Sequence, residues 1–274
     1  MLNLICPVCG GVLERADRTL KCGNGHCYDL AKQNYVNLLM RNQSSNKRHG
    51  DDKLMVAARQ EFLDAGYYAP LRDALCALAV KYSGDSVNLL DVGCGEGYYT
   101  SAVRTTLESA GKPCSAVGVD ISKTALIAAA KRDSALTLAV ASVSALPVGD
   151  ASCDILMNIF APNDDAEFRR VLRPSGVLLK AVPLEKHLFG LKAAVYDEPY
   201  LNPAPDYAPA GFIALERVDV VGSISVAPQK QIENLFMMTP YYYKTGAADQ
   251  AKLRALDNLE TEIAFGVLAF RREN

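Results

Sequence analysis

The chain has 274 residues, half of them hydrophobic, with 29 Lys and Arg against 31 Asp and Glu and a formal net charge of −2. That apolar fraction supplies a core and allows one large domain, or a catalytic domain with a small module; the near balance of charge excludes a polycation. No stretch approaches the roughly 18 consecutive apolar residues that span a bilayer. The opening Met-Leu-Asn-Leu-Ile-Cys lacks a basic stretch and a cleavage pattern, so a cytoplasmic protein with reduced cysteines and no membrane partner is expected.

Charge is uneven along the chain. Residues 1–50 hold seven basic side chains (Arg15, Arg18, Lys21, Lys32, Arg41, Lys47, Arg48) against three acids, an excess of four, and the remainder carries the opposite bias. A basic head on an acidic body points to a polyanion as the head's partner. The same head holds Cys6-Pro-Val-Cys9, twelve residues, Cys22, three residues, then His26-Cys27. Two sulfur knuckles flanking a short hairpin match a tetrahedral structural zinc site, and a segment with so few apolar residues needs the metal to fold. His26 and Cys27 are adjacent and compete for the fourth position. Cys76, Cys94, Cys114 and Cys153 lie in apolar segments and read as small buried hydrophobes. Residues 31–41 read as an exit segment and 42–52 as a polar linker, giving an expected division into a zinc module, 1–45, and a second domain, 46–274.

From Lys53 to Tyr82 apolar residues recur at helical spacing, divided by Gly66 and Pro70 into two helices. Strand and helix then alternate: strands at Val87–Val92, Cys114–Asp120, Leu136–Ser142, Cys153–Phe160 and Gly176–Val182, helices at Tyr98–Ala110, Lys123–Arg132 and Ala166–Leu172. Apolar strands of this length separated by helices form a parallel sheet covered on both faces. The tail adds a strand-like Ala214–Val226, helices at Gln229–Met238 and Ala247–Leu259, and a last strand, Glu262–Phe270.

The first of these strands runs into Asp91-Val92-Gly93-Cys94-Gly95-Glu96-Gly97, a glycine turn opening a helix. Glycine lets the backbone turn sharply and approach a ligand, and the helix N-terminus adds exposed N–H groups. The spacing is G-x-G-x-G rather than the dinucleotide G-x-G-x-x-G, and the run resembles motif I of class I methyltransferases, whose cofactor is S-adenosylmethionine. Asp120, 23 residues after Gly97 at the tip of the next strand, is placed to accept both ribose hydroxyls of an adenosine; its other reading is a helix cap, which Ser122 fills better. Ser142 ends the third strand, where such folds meet adenine, and also reads as a simple turn residue. Phe160 ends the fourth, at the substrate mouth, where Ile159-Phe160-Ala161-Pro162 departs from the Asn/Asp-Pro-Pro-Tyr of nucleic-acid amino-methylases. Phe160 could stack on a base there or pack as a core aromatic, and Tyr28 and Tyr35 of the head offer the same choice.

In order, the knuckles, Asp29–Leu39, Arg59–Tyr68, Asp91–Tyr99 and Ile159–Pro162 resemble the large-subunit (23S) rRNA guanine-N1-methyltransferases over nearly the whole chain. The resemblance implies a class I methyltransferase fold, Rossmann-like with a mostly parallel seven-stranded sheet and helices on both faces, behind a small zinc domain. It implies Cys6, Cys9, Cys22 and His26 as zinc ligands, and Gly95 and Glu96 as cofactor contacts beside Asp91, Gly93, Gly97, Asp120 and Ser142. It also implies that Tyr68 and His187 close over the cofactor, roles that periodicity alone would not assign. It further implies a homodimer whose basic cleft holds a hairpin loop of 23S rRNA, the methyl group going to N1 of a guanine there. The alternative is a small-molecule methyltransferase, since Leu146-Pro147 and Arg173–Gly176 also occur in that broad group. No residue is named as the base that frees guanine N1 of its proton; Asp164, Asp165, Glu185 and His187 stand near the mouth.

Overall fold

The computed structural model describes residues 2–40, 51–204 and 208–273. The expected boundary after residue 45, the linker apart from Asp51 and Asp52, and the basic residues Arg41, Lys47 and Arg48 lie outside the described residues.

The head is a three-stranded antiparallel sheet of β1 (Glu14–Ala16), β2 (Thr19–Lys21) and β3 (Cys27–Asp29). A fourth short strand, β4 (Tyr35–Asn37), precedes two helices, α1 (Lys53–Asp64) and α2 (Ala69–Tyr82). Asp52 caps α1 by accepting the Leu54 and Met55 amides at 2.9 and 3.0 Å, satisfying donors that a helix start leaves free. Gly66, at φ +87°, makes the break between the two helices.

The body alternates β5 (Val87–Val92), α3 (Tyr98–Ser109), β6 (Cys114–Asp120), α4 (Lys123–Arg132), β7 (Thr137–Val140), β8 (Cys153–Ile159), α5 (Asp165–Val171) and β9 (Leu172–Pro183). It ends with α6 (Phe189–Val195), β10 (Phe212–Val226), α7 (Gln229–Met237), α8 (Ala247–Arg254) and β11 (Leu259–Arg272). The large sheet runs β10-β11-β9-β8-β5-β6-β7-β4, parallel from β4 to β9, with β11 antiparallel to both of its neighbours. The expected count of seven strands is corrected to eight. Tyr35–Asn37, which reads as an exit segment, pairs in parallel with Leu138–Val140 and becomes the sheet's edge. Helix α6 is also new to the sequence reading, and β9 begins at Leu172, four residues before its expected start.

The central strands β5, β8 and β11 are buried on both faces, and alternation sorts their side chains into two layers. Leu89, Ile155 and Met157 join one core. Leu90, Val92 and Leu156 join the other, together with Leu4, Leu13 and Leu20 of the head. The head is thus built into one face of the sheet. Leu4 bridges Val148, the Ile5 amide donates to the Pro147 carbonyl at 2.8 Å, and the Leu2 amide donates to Ser115 Oγ at 3.0 Å. Strand order reverses at β5: β6 and β7 lie on one side, β8 and β9 on the other, which opens a crevice at the strands' carboxyl ends.

Candidate cofactor and metal sites

Two backbone turns build the metal cluster. The Gly10 amide closes the first onto the Cys6 carbonyl at 2.8 Å, and the Gly25 amide closes the second onto the Cys22 carbonyl at 2.9 Å. Both glycines sit at positive φ, 71° and 83°, which a side chain would strain. One ligand atom each from Cys6, Cys9, Cys22 and His26 falls within 4.8 Å of all the others. Cys9 and Cys22 sulfurs are 3.6 Å apart and His26 Nδ1 is 3.3 Å from Cys22 Sγ. Tetrahedral zinc with sulfur at about 2.3 Å requires sulfurs a little under 4 Å apart, so the residues present fit the metal. Burial pushes the Cys6 thiol up, but hydrogen bonds from the Tyr28 hydroxyl and the Val8 and Cys9 amides outweigh it and bring Cys6 down to about 6, toward the thiolate that zinc takes. The Tyr28 hydroxyl, 3.2 Å from Cys6 Sγ, is thereby engaged under the cluster, and Tyr35 packs against the core.

The glycine turn carries out its close approach at three positive-φ residues, Gly93, Gly95 and Gly97. A Cβ on Gly93 would stand 2.4 Å from Ala161 Cβ, and one on Gly97 would stand 3.1 Å from Ala129 Cβ. Asp91 is buried behind the turn. Thr100 donates to its Oδ2 at 2.5 Å, while Oδ1 is buried without a partner. Burial lifts this carboxyl to about 7 against the Thr100 bond, and the charges of Asp120 and Glu96 add to the rise. Asp120 accepts the Gly95 amide at Oδ2, 2.9 Å, and the Ser122 amide at Oδ1, 2.8 Å. Burial raises its pKa and those two amides oppose the rise. Ser122 itself caps α4, accepting the Ala125 amide at 3.3 Å. An orphaned acidic oxygen behind a turn whose Gly93 and Gly97 have no room for a side chain is what a cationic amine on an adenosine-bearing ligand would complete, so the turn fits S-adenosylmethionine.

Other expected positions differ in what they offer. The Glu96 carboxylate is buried and held by Arg132 Nε at 2.8 Å, and the same guanidinium holds Asp64 at 2.8 Å. Ser142 Oγ accepts the Ser144 amide at 3.3 Å and meets Ser144 Oγ at 2.9 Å, closing a turn. Tyr68 and His187, 119 residues apart, are brought together with Tyr68 Oη 3.4 Å from His187 Nε2. The Ala264 amide donates to His187 Nδ1 at 3.3 Å, which assigns the imidazole proton to Nε2. Burial, with the charge of Lys192 second, pushes His187 down to about 3, so it is neutral. Phe265 packs on both rings, with centroids 4.9 Å from Tyr68 and 4.4 Å from His187. Phe160, at φ +55° and 47% exposed, extends this aromatic wall to the surface at 5.5 Å from Phe265. Phe265 escaped the sequence reading because it sits inside a strand with no motif around it.

Three of the four acid–base candidates are engaged or distant from a base's role. Asp164 caps α5 through the Glu167 amide, 3.1 Å, Glu185 is exposed, and His187 Nδ1 is occupied. Asp165 accepts the Ala210 amide at Oδ2, 2.8 Å, and keeps a buried, unpartnered Oδ1.

Comparison with known proteins gives the same two-part picture. A family model described as RlmA, N-terminal, a zinc ribbon, matches residues 4–47, and one described as a methyltransferase domain matches residues 89–176. A Streptomyces fradiae protein named 23S rRNA (guanine(748)-N(1))-methyltransferase is 40% identical over 195 residues, covering 70% of this chain and 67% of that one. Bacillus subtilis YxjB, whose name assigns it a 23S rRNA guanine-N1 activity provisionally, is 29% identical over 96% of this chain and 95% of its own. A solved structure from Anaeromyxobacter dehalogenans, provisionally named a type II methyltransferase, superposes with a TM-score of 0.52 at 22% identity, over 72% of this chain and 95% of that one. At that identity the superposition speaks for the fold alone.

Proposed function

The chain belongs to the 23S rRNA (guanine-N1)-methyltransferase family, and from that membership we propose that it transfers a methyl group from S-adenosylmethionine to N1 of a guanine in a hairpin loop of 23S rRNA. The observation that carries the reading is the fusion of a Cys6, Cys9, Cys22 and His26 cluster to a body whose glycine turn fits the cofactor. The head that carries the cluster also exposes Arg15, Arg18, Lys21 and Lys32, of which Arg15 and Arg18 brace the segment 30–34, and a small-molecule transferase does not call for such a basic module. They suit phosphates gripped in a salt-dependent way. Residues 1–45 are the rRNA-recognition module and 46–274 the transferase. The protein works as a cytoplasmic homodimer, with both heads lining the RNA cleft.

When bound, S-adenosylmethionine supplies a methyl group already activated on a sulfonium. The chain's task is alignment. Asp120 takes the ribose hydroxyls, Ser142 borders the adenine, and Gly93, Gly95, Glu96 and Gly97 shape the turn along the methionine end, with Asp91 behind it. Neutral His187 directs its Nε2 proton at Tyr68 Oη, which turns the Tyr68 proton outward to close the pocket. The exposed Phe160 ring, backed by the buried Phe265, offers a face on which a guanine, splayed from its loop, can stack. Asp165, whose Oδ1 has no partner, is the acceptor we assign to the N1 proton.

The test is methyl transfer from labelled cofactor to a 23S transcript, followed by mass mapping of methylated guanines. Labelling that disappears when the mapped guanine is replaced supports the reading. Labelling of a small molecule, with none on rRNA, overturns it in favour of the alternative. Sedimentation at micromolar concentration tests the dimer.

A further inference from the structure

S-adenosylmethionine brings one anion, its carboxylate, into a pocket already crowded with acids. Asp91, Glu96 and Asp120 stand around the glycine turn, and each has its pKa raised by burial. A carboxylate entering there needs a cation facing it. Two guanidiniums approach the turn among the described residues. Arg132 is committed to Asp64 through Nη1 and to Glu96 through Nε, and its remaining Nη2 is buried. Arg59, on α1, reaches the turn at Gly95: its Nη1 lies 3.8 Å from where a Gly95 Cβ would stand, on the side that glycine leaves open. Its ion-pair partner is Asp51, with both side chains about three-quarters covered. The Asp51 carbonyl in turn accepts Ser122 Oγ at 2.8 Å, which sets the pair beside the ribose acid Asp120.

We propose that Arg59 receives the carboxylate of the cofactor's methionine end, and that Asp51 is the internal anion it exchanges for that carboxylate. This rests on the glycine turn being the cofactor site. The exchange accounts for an arginine held next to a loop that otherwise offers a carboxylate only backbone amides. It also explains why Asp51 sits just before α1, within reach of Arg59 about two turns further on. Asp52 there is fixed twice, as the cap of α1 and by the Tyr243 hydroxyl at 2.6 Å, so Asp51 can release Arg59 without the helix moving.

The test is calorimetry on the full-length protein with three ligands: S-adenosylhomocysteine, its decarboxylated analogue, and 5′-methylthioadenosine, which lacks the amino-acid end. For wild type, removing the carboxylate is expected to weaken binding about ten- to a hundred-fold, the range of a charge-assisted contact. Arg59→Met should weaken S-adenosylhomocysteine by that same factor, leave 5′-methylthioadenosine unchanged, and show no further loss on decarboxylation, a closed cycle between residue and ligand group. Arg59→Lys should fall between, and Asp51→Asn should tighten S-adenosylhomocysteine a few-fold by removing the competitor. An equal decarboxylation penalty in Arg59→Lys and wild type, or an Arg59→Met that weakens all three ligands alike, overturns the assignment. Failure of wild type to bind any of the three overturns the cofactor site itself. The ligand series on wild type needs no variant, so a poorly folding Arg59→Met does not shield the proposal.

Discussion

The head and the large sheet reach order by different physics, though they share a face. In the sheet, β5 and β8 are buried almost end to end, and the chain there is held by apolar surface removed from water. In the head, β1 is exposed at all three residues, and its apolar contribution is a few leucines with Cys6, Cys22 and Tyr28 on one side. What the head lacks in core, the four-ligand cluster supplies. The lesson is that the two regions hold their shape by different material: a sheet held by buried apolar surface, and a head built around a four-ligand metal cluster.

The strongest way to break that contrast is to take the metal away. Chelation, or Cys9→Ser, is expected to abolish methylation of a 23S transcript, by more than about a hundred-fold, because structural zinc is worth roughly 10–16 kcal/mol to isolated fingers. S-adenosylhomocysteine affinity should stay within about three-fold, since the cofactor turn draws nothing from the cluster. Hydrogen exchange should show protection lost in β1–β3 and kept in β5–β8. Loss of both activities together would show that head and sheet fold as one unit.

The converse cut is Gly93→Ala. Its Cβ would meet Ala161 Cβ at 2.4 Å from a backbone at φ +78°, a strain of roughly 1–3 kcal/mol. Cofactor affinity is expected to fall about thirty-fold, while zinc content and rRNA binding, read by atomic absorption and filter retention, stay at wild-type values.

How far each region was legible follows from the same division. The knuckle spacing, Gly93–Gly97 and Asp120 were readable because each is a local pattern with a chemical reason. Strands such as Val87–Val92 and Cys114–Asp120 were readable because burial on both faces makes a continuous apolar run. Tyr35–Asn37 was not: three residues hold no period, and their strand exists only because β7 offers a partner edge. Glu96 could be placed in the turn from sequence, but its bond to Arg132 joins residues 36 apart through the packing of α4. Arg59 opens a segment that carries the family resemblance, but no sequence signal assigned it a role, since a charged residue on an amphipathic helix ordinarily faces water.

Asp91 gives a smaller and more graded effect. Its carboxyl is raised to about 7 by burial first, from an ordinary value near 4. A raised carboxyl stabilises the fold while protonated, so that contribution is complete below about pH 4 and is lost as pH rises through 7. The ligand-free protein should therefore be less stable at pH 8 than at pH 5. Asp91→Asn should remove most of that slope, a difference of about 3 kcal/mol between pH 5 and pH 8, and at pH 8 it should melt higher than wild type while binding S-adenosylmethionine more weakly. A wild-type melting temperature flat between pH 5 and 8 would contradict the buried, unpaired Oδ1.

The smallest expected effect sharpens the head itself. Successive residues of a strand face opposite sides. Tyr28 of β3 turns its hydroxyl to Cys6, so its neighbour Cys27 must face away. Cys27 is exposed, with its thiol 3.3 Å from the Gly25 carbonyl, while His26, at the end of the turn before β3, brings Nδ1 to Cys22. Cys27→Ala is therefore expected to leave zinc stoichiometry at one per chain and transfer to rRNA unchanged. His26→Ala, one residue earlier, should weaken zinc retention against a competing chelator by at least about ten-fold, since removing one of four ligands opens the tetrahedron. The reverse ranking of the two variants would move the fourth ligand to Cys27 and require β3 to start one residue later than it does.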